Sequence, residues 1–233
     1  MTAHTGPILE GKGSTDYERY VRVPELLELQ KPKDKLVNPD EALFQTTHQA
    51  AELWMHHVDW EVGRAAGLMM DDPEGAADLL HRCRLIIDVL REQIIVLETM
   101  APVAYHEFRT QSLGRGSGQE SPGFKKLLEA GKRLWEPFQA LLAARKLTAL
   151  EIERDPRRNR ECFRLVQAML DYDEAFLKWR YTHMRLAFRI IGSKVLSLKG
   201  VPAAQLEAGS REPLFPELWE TISTLTSEFK PTY

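Results

Sequence analysis

The sequence predicts an all-α protein, a bundle of roughly six to eight helices, and three observations carry that expectation. Apolar residues recur at helical spacing over most of the chain, so segment after segment shows one dry face and one wet face. No stretch alternates apolar and polar residues with the period of a half-buried strand. With 233 residues and 43% hydrophobic content, the chain is long enough to bury one sizeable core.

Residues 1–15 are rich in Gly, Ser, Thr and Lys without periodicity and are expected to form a mobile arm, with a single domain spanning residues 16–233. Tyr17-Glu-Arg-Tyr20 sets two tyrosines on one side of the chain. Val23–Gln30 then reads as a short helix with Pro24 near its start, where a missing N–H does no harm. Asn38-Pro39 breaks the chain, and Asp40 suits the N-cap of a helix reaching about Leu68, with Glu41 in its first turn. Phe44, His48, Ala51, Met55 and Val58 share one face of that helix, so a histidine lies among apolar side chains. His48, Glu52 and His56 have the spacing of zinc ligands, but Glu52 and His56 drift toward the polar side and no fourth ligand is signalled.

Asp71-Asp-Pro-Glu-Gly75 reads as a turn and a helix start. From Ala76 to about Met100 a stripe of Leu79, Leu80, Cys83, Ile86, Ile87, Leu90, Ile94 and Leu97 predicts a long core helix. Pro102 interrupts it, and Val103–Arg109 continues for a turn or two, presenting Tyr105 and Arg109 toward the same space. Gln111–Gly123 is a glycine- and serine-rich loop whose free N–H groups suit an anion as well as they suit a plain surface connector. Phe124 to about Arg145 predicts a further helix with Leu127, Leu128, Leu134, Phe138, Leu141 and Leu142 inward. Glu151–Arg160 reads as a solvated connector. Glu161–Lys178, with an offset expected near Asp171–Glu174, leads into Phe176–Gly192, and Pro216 can open a final short helix.

His183 stands at the centre of that penultimate stretch. Trp179, His183, Leu186, Ala187, Ile190 and Ile191 fall on one face, so the imidazole points where the apolar side chains point. Two unsatisfied ring nitrogens there would cost about 1–3 kcal/mol, and a bonded neighbour or a metal would each remove that penalty.

Charge and composition exclude several classes. With 31 basic against 34 acidic residues and a net charge of −3, there is no electrostatic footprint for nucleic acid. No apolar run approaches the ~18–20 residues of a membrane span, and the N-terminus lacks a basic-then-apolar signal pattern, so a cytoplasmic protein without a membrane partner is expected. Cys83 and Cys162 are isolated, with no pattern for covalent haem attachment, and are expected to be buried and reduced.

Five pieces of the chain together resemble the tryptophan 2,3-dioxygenase family: Tyr17-x-x-Tyr20, Leu43-Phe44-x-x-x-His48-Gln49-x-x-Glu52-Leu53-Trp54-Met55, Phe108-Arg109 before a Ser117-Gly118-Gln119 loop, Arg180-x-x-His183 continuing to Arg189-Ile190-Ile191-Gly192, and Phe215-Pro216-Glu217-Leu218. They lie in the family's order and run from Tyr17 to Trp219. The resemblance implies a helical bundle enclosing a non-covalent haem b, with His183 as the axial ligand of the iron and His48 as a catalytic residue beside the substrate indole N–H. Phe44 and Tyr105 would line an aromatic pocket. Arg109 would clamp the substrate carboxylate with a fork of donors that lysine does not reproduce, assisted by Ser117 and Gly118, while Ser197 would bind the ammonium group. Tyr17 and Tyr20 match positions that reach into a neighbouring subunit's site, which implies a homotetramer.

The implied partners are O₂ and an aromatic L-amino acid, and the implied reaction inserts oxygen into the indole ring of L-tryptophan or a substituted tryptophan to give an N-formylkynurenine. Monooxygenation to a 2-oxindole and haem-dependent tyrosine hydroxylation are the alternatives. The chain departs from the family pattern in three places. Ser193–Pro202 replaces a glycine-threonine-glycine-glycine loop, with Ser197 in the threonine's place; Ser-Gly-Gln-Glu-Ser replaces Ser-Gly-Phe-Gln-Ser in an Arg109 loop that is one residue longer; and the connector at residues 145–160 is short.

Overall fold

The apolar stripes fold as helices throughout the computed structural model, which describes residues 9–114, 116–194 and 204–230. Residues 1–8 of the expected arm lie outside the described residues. From residue 11 onward the backbone is tied down: Gly11 N–H donates to the Arg19 carbonyl, and Thr15 and Glu18 form a capping box for α1 (Asp16–Val21). Arg22 in the left-handed conformation separates α1 from α2 (Val23–Leu27), where Pro24 occupies the first turn.

Next comes α3 (Asp40–Leu68), whose far end agrees with the sequence reading. Its start differs by one residue. The Asn38 side chain takes the Asp40 N–H at 3.0 Å, so Asp40 sits inside the first turn rather than capping it. α4 (Pro73–Ile95) is capped by Asp72 and is shorter than its stripe suggests, because Val96–Thr99 tightens into a 3-10 turn before Pro102 opens α5 (Pro102–Phe108). A π-helical turn, Arg109–Leu113, follows where the sequence placed the start of a loop.

α6 (Pro122–Arg145) buries Leu127, Leu134, Phe138 and Leu141, but Leu128 is 40% exposed and does not point inward. The expected connector contains α7 (Ala149–Arg154), held by a Thr148–Glu151 capping box and the buried Ile152, features that a charge run conceals. The offset expected near residues 171–174 is absent: α8 (Arg160–Ile191) is one helix of 32 residues, then come α9 (Ala204–Gly209) and α10 (Pro216–Glu228). Among the described residues there are thus ten α-helical segments, more than the six to eight expected, the excess being short pieces.

Two pairings organise the core. α4 packs along α8, and α3 packs against both α4 and α6. Val58, Val62, Leu80, Ile87, Leu90, Leu134, Phe138 and Phe176 fill the space between them at zero exposure. Gly123 and Gly131 in α6 permit close approach: a Cβ at Gly123 would stand 2.6 Å from the Met55 Cβ, and one at Gly131 would press on Leu214. Asp173, fully buried in α8, accepts from the Leu214 and Phe215 N–H groups and from the Trp219 indole, and so pins the start of α10 to the bundle. No described helix is long and apolar enough to cross a membrane.

Candidate functional site

One aromatic cluster is built on α3 and α5. Phe44 and His48 lie one helical turn apart with ring centres at 4.0 Å, and Phe44 also meets Tyr105 at 5.8 Å and Phe108 at 5.2 Å. Tyr105 and Phe108 pack edge to face at 5.5 Å. The first residue of the π turn is Arg109. Its Nη1 donates to Tyr105 Oη at 2.8 Å and to the Gly116 carbonyl at 3.4 Å, and the guanidinium lies 5.7 Å from the centre of the Tyr105 ring. Among the described residues Arg109 has no carboxylate partner, so most of its five donors remain available.

His48 is tuned by its own helix. Its Nδ1 lies 2.7 Å from the Phe44 carbonyl, which can only accept. The ring proton therefore resides on Nδ1, and Nε2 presents a lone pair. Burial holds the pKa of His48 below its ordinary value, against the opposing pull of the Phe44 bond and of Glu52.

A second aromatic group is built on α6 and α8. Phe176 stacks on Trp179 at 6.0 Å, Trp179 stacks on His183 at 5.5 Å, and Phe124 packs against Phe176 and Trp179. His183 has no hydrogen-bond partner among the described residues. Burial, and next the nearby His48, press its pKa down to about 4, so the imidazole is neutral at pH 7. Beside it the Trp179 indole N–H is buried without an acceptor. A Cβ added at Gly118 would stand 4.0 Å from His183 Nε2, so that edge of the ring meets bare backbone. A buried neutral imidazole with an unspent lone pair fits the ligand position of an iron porphyrin.

The short segment Gly116–Ser121 connects the two groups. Its Gly116 carbonyl receives Arg109, Gly118 borders His183, Ser117 caps the 3-10 turn Gly118–Glu120, and Ser121 caps α6 through the Phe124 N–H at 2.9 Å. The structure thus brings together Phe44, His48, Tyr105, Arg109, Ser117, Gly118 and His183. It does not bring in Tyr17 and Tyr20, which are 71% and 78% exposed on α1 of the same chain. Ser197 lies outside the described residues. A cavity of about 870 Å³, the size of a ligand site, opens against α3 with Leu26, Phe44, His48, Glu52, Phe108 and Leu113 in its walls. Tyr105, Arg109 and His183 do not line it.

The zinc spacing through Glu52 has another use. No group of three metal-ligating side chains is found among the described residues, and Glu52 instead accepts from Ser121 Oγ and, at 3.0 Å, from Gly123 N–H. Sequence reasoning missed this role and that of Asp173. For Glu52 the available signal was its place one turn beyond His48. For Asp173 it was an acidic residue on the apolar face of an otherwise continuous helix.

The chain is similar to known proteins over most of its length. Residues 2–133 match the sequence model of the family described as Tryptophan 2,3-dioxygenase. The tryptophan 2,3-dioxygenase of a Nocardioides species is 32% identical, the alignment covering 90% of this chain and 94% of the relative. That of Caulobacter vibrioides is 29% identical over 90% and 98% of the two chains, and that of Herpetosiphon aurantiacus 28% identical over 87% and 95%.

Proposed function

The chain belongs to the tryptophan 2,3-dioxygenase family, and on that premise we propose that it is a haem-dependent oxygenase that inserts O₂-derived oxygen into the indole ring of L-tryptophan or a substituted tryptophan. The observation that carries the substrate class is Arg109. It is a partly buried guanidinium with no carboxylate partner among the described residues, seated at the edge of a wall made by Phe44, Tyr105 and Phe108. Such a pairing of a cationic fork with an aromatic wall suits an amino acid carrying a planar apolar ring.

In this reading Arg109 holds the substrate carboxylate, and Ser197 takes the ammonium group. The aromatic wall orients the indole and keeps water from it. His48, with its proton fixed on Nδ1, accepts the indole N–H at Nε2. That bond draws the N–H proton toward the imidazole and leaves the enamine carbons of the ring more electron-rich, which favours attack by oxygen. His183 would hold a non-covalent haem b, which when bound supplies the activation of O₂. Tyr17 and Tyr20, exposed in one chain, would complete the pocket of a neighbouring subunit in a homotetramer. The product is an N-formylkynurenine.

Replacing His183 by Ala should abolish the Soret band of the purified protein; a full band in that variant overturns the assignment of the ligand. A single turnover with ¹⁸O₂, read by mass spectrometry, tests the reaction. Two labelled oxygens in a ring-opened product support dioxygenation. One labelled oxygen in an intact bicycle makes the enzyme a 2-oxindole-forming monooxygenase, the outcome favoured by the loss of glycines from Ser193–Pro202. A Soret shift with tyrosine but not with tryptophan would move the assignment to tyrosine hydroxylation.

A further inference from the structure

We infer that Glu52 is a positioning residue: its carboxylate ties α3 to the head of α6 and thereby sets the placement of the Gly116–Ser121 segment between Arg109 and His183. The inference rests on the functional reading above and extends it to a side chain that touches neither substrate nor iron.

The connection can be followed bond by bond. Glu52 leaves α3 one turn after His48, on the flank facing α6, and its two oxygens are both spent there. One accepts from Ser121 Oγ, and the other accepts from Gly123 N–H at 3.0 Å. Ser121 Oγ in turn accepts the Phe124 N–H at 2.9 Å, so its single proton must go to Glu52 and the direction of every bond is fixed. The cluster is drawn tight by Gly123, where even a Cβ would meet Met55 at 2.6 Å and the Glu52 carboxylate at 2.9 Å. Immediately before Ser121 the chain turns once, with Ser121 N–H donating to the Gly118 carbonyl at 3.1 Å. Gly118 and Gly116, three and five residues before Ser121, are the points that border His183 Nε2 and receive Arg109 Nη1. A displacement of Ser121 is therefore passed through one tight turn to the backbone that positions the guanidinium. Because Glu52 is on α3, the same carboxylate references that backbone to the helix that carries His48.

This arrangement predicts a selective defect. When Glu52 is changed, Arg109 loses a fixed Gly116 carbonyl and its fork loosens, so the affinity for tryptophan falls while that for tryptamine, which lacks the carboxylate, is unchanged. The test uses the haem-loaded enzyme. Equilibrium binding of tryptophan and of tryptamine is measured by calorimetry for the wild type, Glu52→Gln, Glu52→Ala and Ser121→Ala, alongside haem content and thermal melting.

Expected is a fall of about tenfold in the ratio of tryptophan to tryptamine affinity for Glu52→Ala. Glu52→Gln, which keeps an acceptor for Gly123 and replaces the charged Ser121 bond by a weaker amide N–H to Oγ bond, should fall between wild type and Glu52→Ala. Combining Glu52→Gln with Ser121→Ala should add little to the ratio change of Ser121→Ala alone, since the Ser121 bond is already absent there. Equal losses for both ligands, or an unchanged ratio in folded, haem-loaded variants, would overturn the inference. If the wild type itself fails to prefer tryptophan to tryptamine, the role of Arg109 and the functional reading fail instead. Should Glu52→Ala not fold, the ratio measured with Glu52→Gln decides alone.

Discussion

Arg109 is the residue whose environment is least explained without a ligand. Its Nη1 is engaged by Tyr105 and Gly116, while the rest of a planar five-donor fork has no carboxylate among the described residues. Replacing it by Lys keeps the charge and loses the bidentate geometry. Tryptophan affinity should then fall by roughly 10- to 100-fold, the equivalent of about 1.4–2.8 kcal/mol, with an unchanged melting temperature; tryptamine, which lacks the carboxylate, and tryptophan binding equally well to the wild type would sink the carboxylate assignment. His183 makes a prediction in the opposite direction, about stability. Its folded-state pKa of about 4 lies below the unfolded value near 6.5. Above pH 6.5 both states are neutral and nothing is lost. As pH falls from 6.5 toward 4 the unfolded chain takes up a proton that the folded chain refuses, so stability of the haem-free protein should drop by about 3 kcal/mol and then level off. Urea midpoints measured across this window for wild type and His183→Gln check it, since the variant should lack that part of the slope.

At the scale of elements, what sequence could show depended on periodicity. The α3 and α4 stripes and the half of α8 around His183 were legible because their apolar residues recur without interruption, and His48 and His183 could be assigned to apolar faces on that basis alone. The π turn at Arg109–Leu113 and the short α7 were not legible, since neither is long enough to display a period and each is fixed by a local bond or by one buried side chain such as Ile152. The unbroken run of α8 through Asp173 was hidden for another reason. An acid on a buried face suggests a break until its partners, forty and more residues later, are known. Burial raises the Asp173 pKa despite three hydrogen bonds that lower it, so the clamp works against a desolvation penalty. Asp173→Asn relieves that penalty but turns an amide NH₂ toward at least one backbone or indole donor. A loss of about 1–2 kcal/mol is expected, together with earlier proteolysis near residues 210–219, as seen in urea melts and limited trypsin digestion; unchanged resistance to trypsin would show that α10 is held elsewhere.

At the scale of the whole molecule, the apolar surface is uneven. Tyr17, Tyr20, Leu27 and Leu29 are each more than 60% exposed on the N-terminal segment, and Leu53 and Trp60 add to the outer side of α3. Surface of this kind calls for a covering partner. The proposed tetramer predicts a melting temperature that rises with protein concentration and a mass near four times 26.7 kDa by light scattering; a monomer at micromolar concentration would remove the role given to the two tyrosines. The length of α8 has a further consequence. At about 1.5 Å per residue its 32 residues make a rod of roughly 48 Å that carries core contacts with α4, the Asp173 clamp and His183 on one continuous backbone. Beyond His183 the same helix buries Met184, Leu186 and Ile190, so it cannot open there without exposing them. Amide hydrogens on both sides of His183 should therefore exchange with deuterium at the slow rate of residues 165–176, through global unfolding, and leave the imidazole no separate local fluctuation by which to leave its place.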